Sequence, residues 1–76
     1  MTKVNLTAKE RVIIDLFCKE LSINEIAVIL QLAPSTIENY RRRIQKKICA
    51  KNVVGIAIYA LLNGLIKSDE SPALQN

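Results

Sequence analysis

Apolar residues recur in this chain at the three- and four-residue spacing of helices that bury one side. The first such stretch follows Thr7 and Glu10, which match a capping box, in which each side chain bonds the other residue's backbone N–H. Its apolar positions are Ile13, Ile14, Leu16, Phe17, Cys18 and Leu21. The pattern predicts a core-facing helix over about residues 8–19.

Two further helices follow, with a very short connection between them. Ser22 and Glu25 repeat the capping-box spacing before the apolar run I-A-V-I-L, which predicts a second helix at 23–30. Pro34 suits the first position of a third helix at 34–48, because that position needs no N–H. The short connection allows only a steep crossing, so the pair is typical of a helix-turn-helix.

The third helix separates apolar from polar positions. Ile37, Ile44 and Ile48 follow one another at spacings of seven and four, which predicts one buried face. The remaining arc exposes an amide, a carboxylate and many cations, on Glu38, Asn39, Arg42, Arg43, Lys46 and Lys47. Such an arc suits a polyanion.

A fourth helix is predicted at about 53–63, with Asn52 as its N-cap and Gly64 as the left-handed residue that ends it. It is apolar on more than one side, whereas a surface helix of a small domain needs one apolar row. One row consists of Val53, Ala57 and Ala60. The other row consists of Val54, Ile58, Leu61 and Leu62. We expect it to form a homodimer interface, and deeper burial in the core is the alternative.

Length and hydropathy predict one small all-α domain. Seventy-six residues support a single core, so we expect a four-helix domain at residues 6–66. Residues 1–5 and 67–76 lack periodicity and are expected to be a flexible lead-in and a disordered tail. The chain shows no leader and no apolar run of membrane length, so a soluble cytoplasmic protein is expected.

The residue types that carry metal and catalytic chemistry are sparse. Cys18 and Cys49 are expected to be buried and free, and no histidine is present to complete a metal site. The acids of the first half are spaced like cap and solvent-facing positions, at Glu10, Asp15, Glu20 and Glu25. They do not form the converging pair that acid–base catalysis needs. We therefore expect neither an enzyme nor a bound metal or cofactor.

Positive charge is concentrated in one stretch. The formal charge is +4, but residues 41–51 contain six cations and no anion, while the rest of the chain sums to −2. Such clustering is typical of nucleic-acid binding, since each neutralised phosphate releases condensed counterions. A solvated helix face is the alternative. RNA is disfavoured because only Phe17, Tyr40 and Tyr59 could stack on bases.

Three stretches, in order and at ungapped spacing, resemble one known family. They are L-T-A-K-E-R, L-S-I-N-E-I-A-V-I-L and S-T-I-E-N-Y-R-R-R-I-Q-K-K-I. Together they are similar to the LuxR-type (GerE-like) DNA-binding domain, as in the effector half of NarL/FixJ-type response regulators, over residues 6–66. The resemblance implies a helix-turn-helix, dimerisation through the fourth helix, and regulation of transcription on double-stranded DNA at the bacterial nucleoid. It also suggests RNA polymerase as a further partner. No small-molecule ligand is expected, because the chain is not expected to form a ligand pocket of useful size.

The resemblance and the charge pattern assign roles within the third helix. By their place in the family pattern, Glu38, Asn39 and Arg42 are expected to contact base edges. Asn39 suits adenine and Arg42 guanine, while Glu38 either accepts from a cytosine amine or orients Arg42. By the same pattern, Thr36 and Lys47 are expected near phosphates. The further phosphate contacts, expected from charge, are Arg41, Arg43, Lys46 and Lys51.

Two departures from the family pattern bear on stability. Ala33 stands where Ser is frequent, which removes an N-cap worth about 1 kcal/mol unless a hydroxyl of Ser35 or Thr36 replaces it. Glu20 stands where Gly is common, so a left-handed backbone there would cost about 1 to 2 kcal/mol. The competing interpretation of the whole chain is a protein-interaction module, in which the fourth helix docks a partner and the basic face only confers solubility.

Overall fold

The computed structural model describes residues 4–65, which form four helices and no strand. The predicted all-α fold is confirmed. The second and third helices have the predicted bounds, while the first and fourth each end one residue earlier than expected. The helices are α1 (Ala8–Cys18), α2 (Ile23–Leu30), α3 (Pro34–Ile48) and α4 (Val53–Leu62).

Both predicted capping boxes are present, and they determine where α1 and α2 begin. Thr7 N–H donates to Glu10 Oε1 at 2.9 Å, and Glu10 N–H donates to Thr7 Oγ1 at 3.1 Å. The Ser22 and Glu25 pair has the same geometry, at 2.8 and 3.1 Å. In α4, the Asn52 side chain accepts from the Gly55 N–H at 3.1 Å, which confirms the predicted N-cap.

The four helices enclose one apolar core to which each of them contributes. α1 packs mainly on α4, and α2 mainly on α3. The contact of α3 with α4 is the main one that joins the helix-turn-helix pair to the other two helices. Ile56, which the predicted rows of α4 omitted, is fully buried. The buried core residues are Ile13, Ile14, Phe17, Ile26, Ala27, Ile37, Ile44, Ile56 and Ala60.

Each helix is followed closely by a residue with left-handed dihedrals. Gly64 has φ +67°, and the Leu65 N–H donates to the Ala60 carbonyl at 2.9 Å, which confirms the Schellman-type stop of α4. The other three positions are not glycine: φ is 65° at Glu20, 58° at Gln31 and 60° at Cys49. The left-handed backbone anticipated for Glu20 is therefore present, and two further strained positions accompany it.

One expectation about burial is wrong, and one residue is buried more deeply than its expected role requires. Glu10 caps α1 as expected, and it is also completely buried. Cys49 was expected in the core but is exposed, because it ends α3 at the surface, whereas Cys18 is half-buried. Both cysteines are free.

The predicted boundaries of the domain fall partly outside the described residues. The disordered tail expected at 67–76 lies outside them, as do Ile66 and most of the lead-in expected at 1–5. Among residues 4–65, no helix has the length and hydropathy needed to cross a bilayer. Within the same residues, no group of acids and cysteines is arranged to hold a metal ion.

Candidate nucleic-acid interface

The helix α3 presents a basic side opposite its buried side. Ile37 and Ile44 are fully buried against the core, as their spacing predicted. Asn39, Arg42 and Arg43 are exposed on the other side, and 68% of the Arg42 side chain is accessible. The same helix carries the exposed Lys46 and Lys47, while the exposed Lys51 follows in the turn after it.

The N-terminus of α3 is not capped by a side chain. Ala33 occupies the N-cap position with extended dihedrals, and neither Ser35 nor Thr36 supplies the hydroxyl cap considered above. The N–H groups of Thr36 and Ile37 instead donate to the Ala33 carbonyl, at 2.9 and 3.2 Å. An uncapped helix start carries a partial positive charge that favours a nearby anion.

Glu38 is held by two arginines of its own helix. The Arg41 Nε–H donates to Glu38 Oε1 at 3.0 Å, and a second contact joins the Arg41 Nη2 to Oε2. The Arg42 Nε lies 3.4 Å from Glu38 Oε2. The hydrogen bond from Arg41 lowers the pKa of Glu38, with attraction to both arginines adding to the effect. Glu38 therefore carries a full negative charge at neutral pH and orients both guanidinium groups.

The Arg41 side chain is less exposed than we expected of a phosphate-contacting residue. Its side chain is only 21% exposed, and it donates to Gln45 Oε1 as well as to Glu38. Gln45 in turn donates to the Ala50 carbonyl at 3.4 Å. The hydrogen bond with Glu38 raises the pKa of Arg41 above its ordinary value. Arg41 thus links the middle of α3 to the turn that precedes α4.

Lys47 also has an internal partner. Its Nζ donates to Glu10 Oε1 at 2.8 Å and to the Asn5 carbonyl at 3.1 Å, so the end of α3 is tied to the start of α1. The Lys47 side chain is 33% exposed, against 1% for Glu10. Burial acts to raise the pKa of Glu10, but the hydrogen bonds from Lys47 and Thr7, together with attraction to Lys47, hold it below its ordinary value.

Sequence reasoning missed this pair for a simple reason. Glu10 and Lys47 are separated by 37 positions, and nothing local connects them. The capping-box spacing explains Glu10 completely as a local feature. Lys47 likewise belongs to a basic run in which Arg42, Arg43, Lys46 and Lys51 are exposed.

Arg43 has a different internal contact that leaves it at the surface. Its guanidinium carbon lies 5.2 Å from the centre of the Tyr40 ring, a cation–π arrangement. Tyr40 is half-buried and packs on the core, so its ring lies between Arg43 and the core. Arg43 remains exposed on the same helix as Arg42 and Lys46.

A second candidate surface lies on α4. Its four residues with the predicted interface role are all exposed, with accessible fractions of 65%, 53%, 70% and 78% for Val54, Ile58, Leu61 and Leu62. Three of them, Val54, Ile58 and Leu62, line an open groove together with the turn from Ile48 to Asn52. Lys51 lies in that groove wall, so the apolar surface adjoins the basic one.

Comparison with known proteins identifies the family of this helix-turn-helix. The profile of the bacterial regulatory proteins of the luxR family matches residues 4–60. The chain belongs to this family. It is also 33% identical over 64 residues to the regulatory protein SdiA of Escherichia coli strain K12, a match that covers 84% of this chain. The chain spans only 27% of the length of that relative.

The matched region includes α1, α2, α3 and most of α4, so the family assignment covers the described helix-turn-helix. This LuxR-family domain places Asn39, Arg42, Arg43 and Lys46 on one exposed side of α3. It places Arg41 and Lys47 in ion pairs within the domain, and Thr36 is half-buried in the first turn of α3. The predicted site residues are therefore not equivalent, because two of the predicted phosphate contacts already have carboxylate partners.

Proposed function

We propose that this domain binds double-stranded DNA by placing α3 in the major groove, and that it serves a bacterial transcription regulator. The observation that carries the proposal is the exposed basic side of α3, which sits opposite two fully buried isoleucines of the same helix. A helix presented in this way by a tight preceding turn has the dimensions that the major groove admits.

Within this proposal, the exposed cations position the domain on the backbone. Arg43, Lys46 and Lys51 contact phosphates, and the uncapped start of α3 near Thr36 provides a further anion site. Arg41 and Lys47 contribute less than their formal charges suggest, because Glu38 and Glu10 neutralise them. These contacts set affinity and its salt dependence without selecting a sequence.

Sequence selection rests on the first half of α3. Asn39 is exposed and can bond adenine with two hydrogen bonds, while Arg42 can do the same with guanine. Glu38 acts mainly by orienting Arg42 and Arg41, since both guanidinium groups lie against its carboxylate. Each well-formed side-chain contact to a base contributes about 1 to 3 kcal/mol of discrimination.

The same proposal includes a homodimer through α4. Four large apolar side chains are exposed on one short helix, and their exposure to water is unfavourable in a monomer. Such a patch suits a contact in which the same surface of two copies meets. A dyad through α4 would place two copies of α3 on half-sites about one helical turn apart. The domain would act in the cytoplasm, alone or as the effector part of a longer regulator, in contact with RNA polymerase.

A binding selection tests the proposal directly. The purified chain is mixed with random duplexes at two salt concentrations, and the retained DNA is sequenced. We expect paired half-sites to be enriched and retention to fall as salt rises. Enrichment of single half-sites would contradict the homodimer, and no retention even at low salt would contradict DNA binding and favour a protein-interaction module.

Two matched variants separate base contacts from phosphate contacts. Arg42→Ala should lose affinity for the selected sequence by about 10-fold or more relative to random DNA, because it removes a base contact. Lys46→Ala removes an exposed cation from the same helix and should weaken binding to both DNAs equally. Equal losses for both DNAs in the Arg42→Ala variant would refute its assignment as a base-contacting residue.

A further inference from the structure

Glu10 is the one charged residue that is buried among the described residues 4–65. Its Oε1 accepts from the Thr7 N–H and from Lys47 Nζ, but its Oε2 is buried and has no hydrogen-bond partner within that part of the chain. A carboxylate oxygen without a partner is unfavourable to bury. The burial of the Glu10 carboxylate therefore needs an explanation beyond the local structure of α1.

Capping of α1 does not provide that reason. Glu25 caps α2 through the same pair of hydrogen bonds to Ser22, with nearly the same distances, and it is exposed. The two capping boxes thus differ in burial and in one partner. The partner is Lys47, which donates to the Glu10 carboxylate.

Lys47 belongs to the DNA-binding helix of the proposed function. It follows the exposed Arg43 by four residues, so the two side chains are neighbours on the helix surface. Two of the three N–H groups of its ammonium donate to Glu10 and to the Asn5 carbonyl. Its charge is cancelled at close range by a carboxylate that water does not reach.

We propose that Glu10 masks Lys47, and so removes one cation from the set that α3 offers to the DNA backbone. The inference rests on the proposed DNA binding, and it assigns Lys47 an internal role in place of the phosphate contact expected from the family pattern. Glu10 acts as a positioning residue, since it touches no DNA and holds the Lys47 ammonium at the start of α1. The salt dependence of DNA binding is accordingly lower than the count of basic residues on α3 implies.

The number of cations that contact DNA phosphates is measured by the slope of log affinity against log salt concentration. Binding of a labelled random-sequence duplex is measured by fluorescence anisotropy across a tenfold range of salt. Glu10→Gln keeps the shape of the side chain and removes the charge that masks Lys47. We expect its slope to be steeper by about 0.9, so that its affinity falls about eightfold more than that of the wild type across the range.

Glu25→Gln is the matched control. It makes the same change at the same capping-box position and raises the net charge by the same amount, but it releases no lysine. Its slope should equal that of the wild type. An equally steep slope in both variants would show that net charge alone matters and would overturn the inference.

Two further variants keep the test decisive if Glu10→Gln folds poorly. The double variant Glu10→Gln with Lys47→Gln leaves no buried charge and should keep the wild-type slope, as should Lys47→Gln alone. If Lys47 contacts phosphate in the wild type, both will lose about 0.9 from the slope, and the inference is wrong. Absence of any salt-dependent binding by the wild type would overturn the proposed function itself, whereas normal wild-type binding with an unchanged slope in Glu10→Gln overturns only this inference.

Discussion

Gly55 approaches Ala50 so closely that a β-carbon on residue 55 would lie 2.9 Å from the Ala50 β-carbon and 3.4 Å from its α-carbon. The contact joins the first turn of α4 to the turn that follows α3. It is reinforced by Asn52, which caps α4 by accepting from the Gly55 N–H. The absence of a side chain at residue 55 therefore allows the proposed DNA-binding and dimer helices to meet through a short connection.

Replacement of Gly55 by alanine should destabilise the domain despite the better helix propensity of alanine. Propensity favours the change by up to about 1 kcal/mol, whereas overpacking against a rigid neighbour costs about 1 to 3 kcal/mol. We expect a net loss of about 1 kcal/mol in the free energy of unfolding, measured in urea. Gly55→Ala combined with Ala50→Gly removes the colliding methyl group and should recover most of the loss. Equal stability of Gly55→Ala and the wild type would contradict the close contact.

Glycine at residue 20 should stabilise the domain. Glu20 has φ 65°, a conformation that glycine adopts without the penalty paid by residues with a β-carbon. The greater freedom of glycine in the unfolded chain offsets part of the gain, so Glu20→Gly should add about 0.5 to 1 kcal/mol. Thermal unfolding should shift upward by a few degrees, on the order of 4 to 8 °C per kcal/mol for a domain of this size. Glu20→Ala is the control, because it removes the same carboxylate but keeps the β-carbon. If Glu20→Ala raises the midpoint of thermal unfolding as much as Glu20→Gly does, the gain comes from the loss of charge and not from the backbone.

The Glu10–Lys47 pair should contribute to acid unfolding. Because the pKa of Glu10 is lowered in the folded protein from an ordinary value of 4.5, the unfolded chain binds this proton more readily. The pair therefore stabilises the fold fully above pH 4.5, and its contribution is lost as pH falls through the folded pKa. Glu10→Gln should lose about 1 to 3 kcal/mol near neutral pH and show a shallower loss of stability in acid, measured by urea unfolding across pH.

In the Lys47→Met variant, the contribution of Glu10 to the pH dependence of stability should reverse its sign. Without the ammonium, burial dominates the environment of Glu10, and its folded pKa should rise above the ordinary value. A raised pKa of an acid means that stability increases as pH falls from neutrality towards 4.5. Stability that falls with acid as steeply as in the wild type would contradict the pairing.

The exposed apolar residues of α4 predict that the chain dimerises through this helix. Leu62→Glu should convert dimers to monomers, because it places a charge within the proposed apolar contact. Val28 on α2 is equally exposed, at 78%, and Val28→Glu is therefore a matched control that should leave the dimer intact. Sedimentation velocity over a range of concentrations measures both. Identical sedimentation of wild type and Leu62→Glu would refute the interface.

Local sequence patterns determined most of the secondary structure, because the features that start and stop these helices act over a few residues. Thr7 with Glu10 and Ser22 with Glu25 identified two helix starts through contacts at a spacing of three. Gly64 identified the end of α4 through its conformational freedom. The separation of apolar from basic positions on α3 also followed directly from helical periodicity.

Only the tertiary structure decided which charges of α3 are available. The contact of Lys47 with Glu10 joins two helices across 37 positions, and no local pattern encodes such a pairing. The inward position of Arg41 depends on Gln45 and on the turn that brings the Ala50 carbonyl beside it. The burial of Glu10 and the exposure of Cys49 likewise depend on which elements happen to cover each residue. Helix formation is set by neighbours in the chain, whereas the number of free cations on a binding surface is set by neighbours in space.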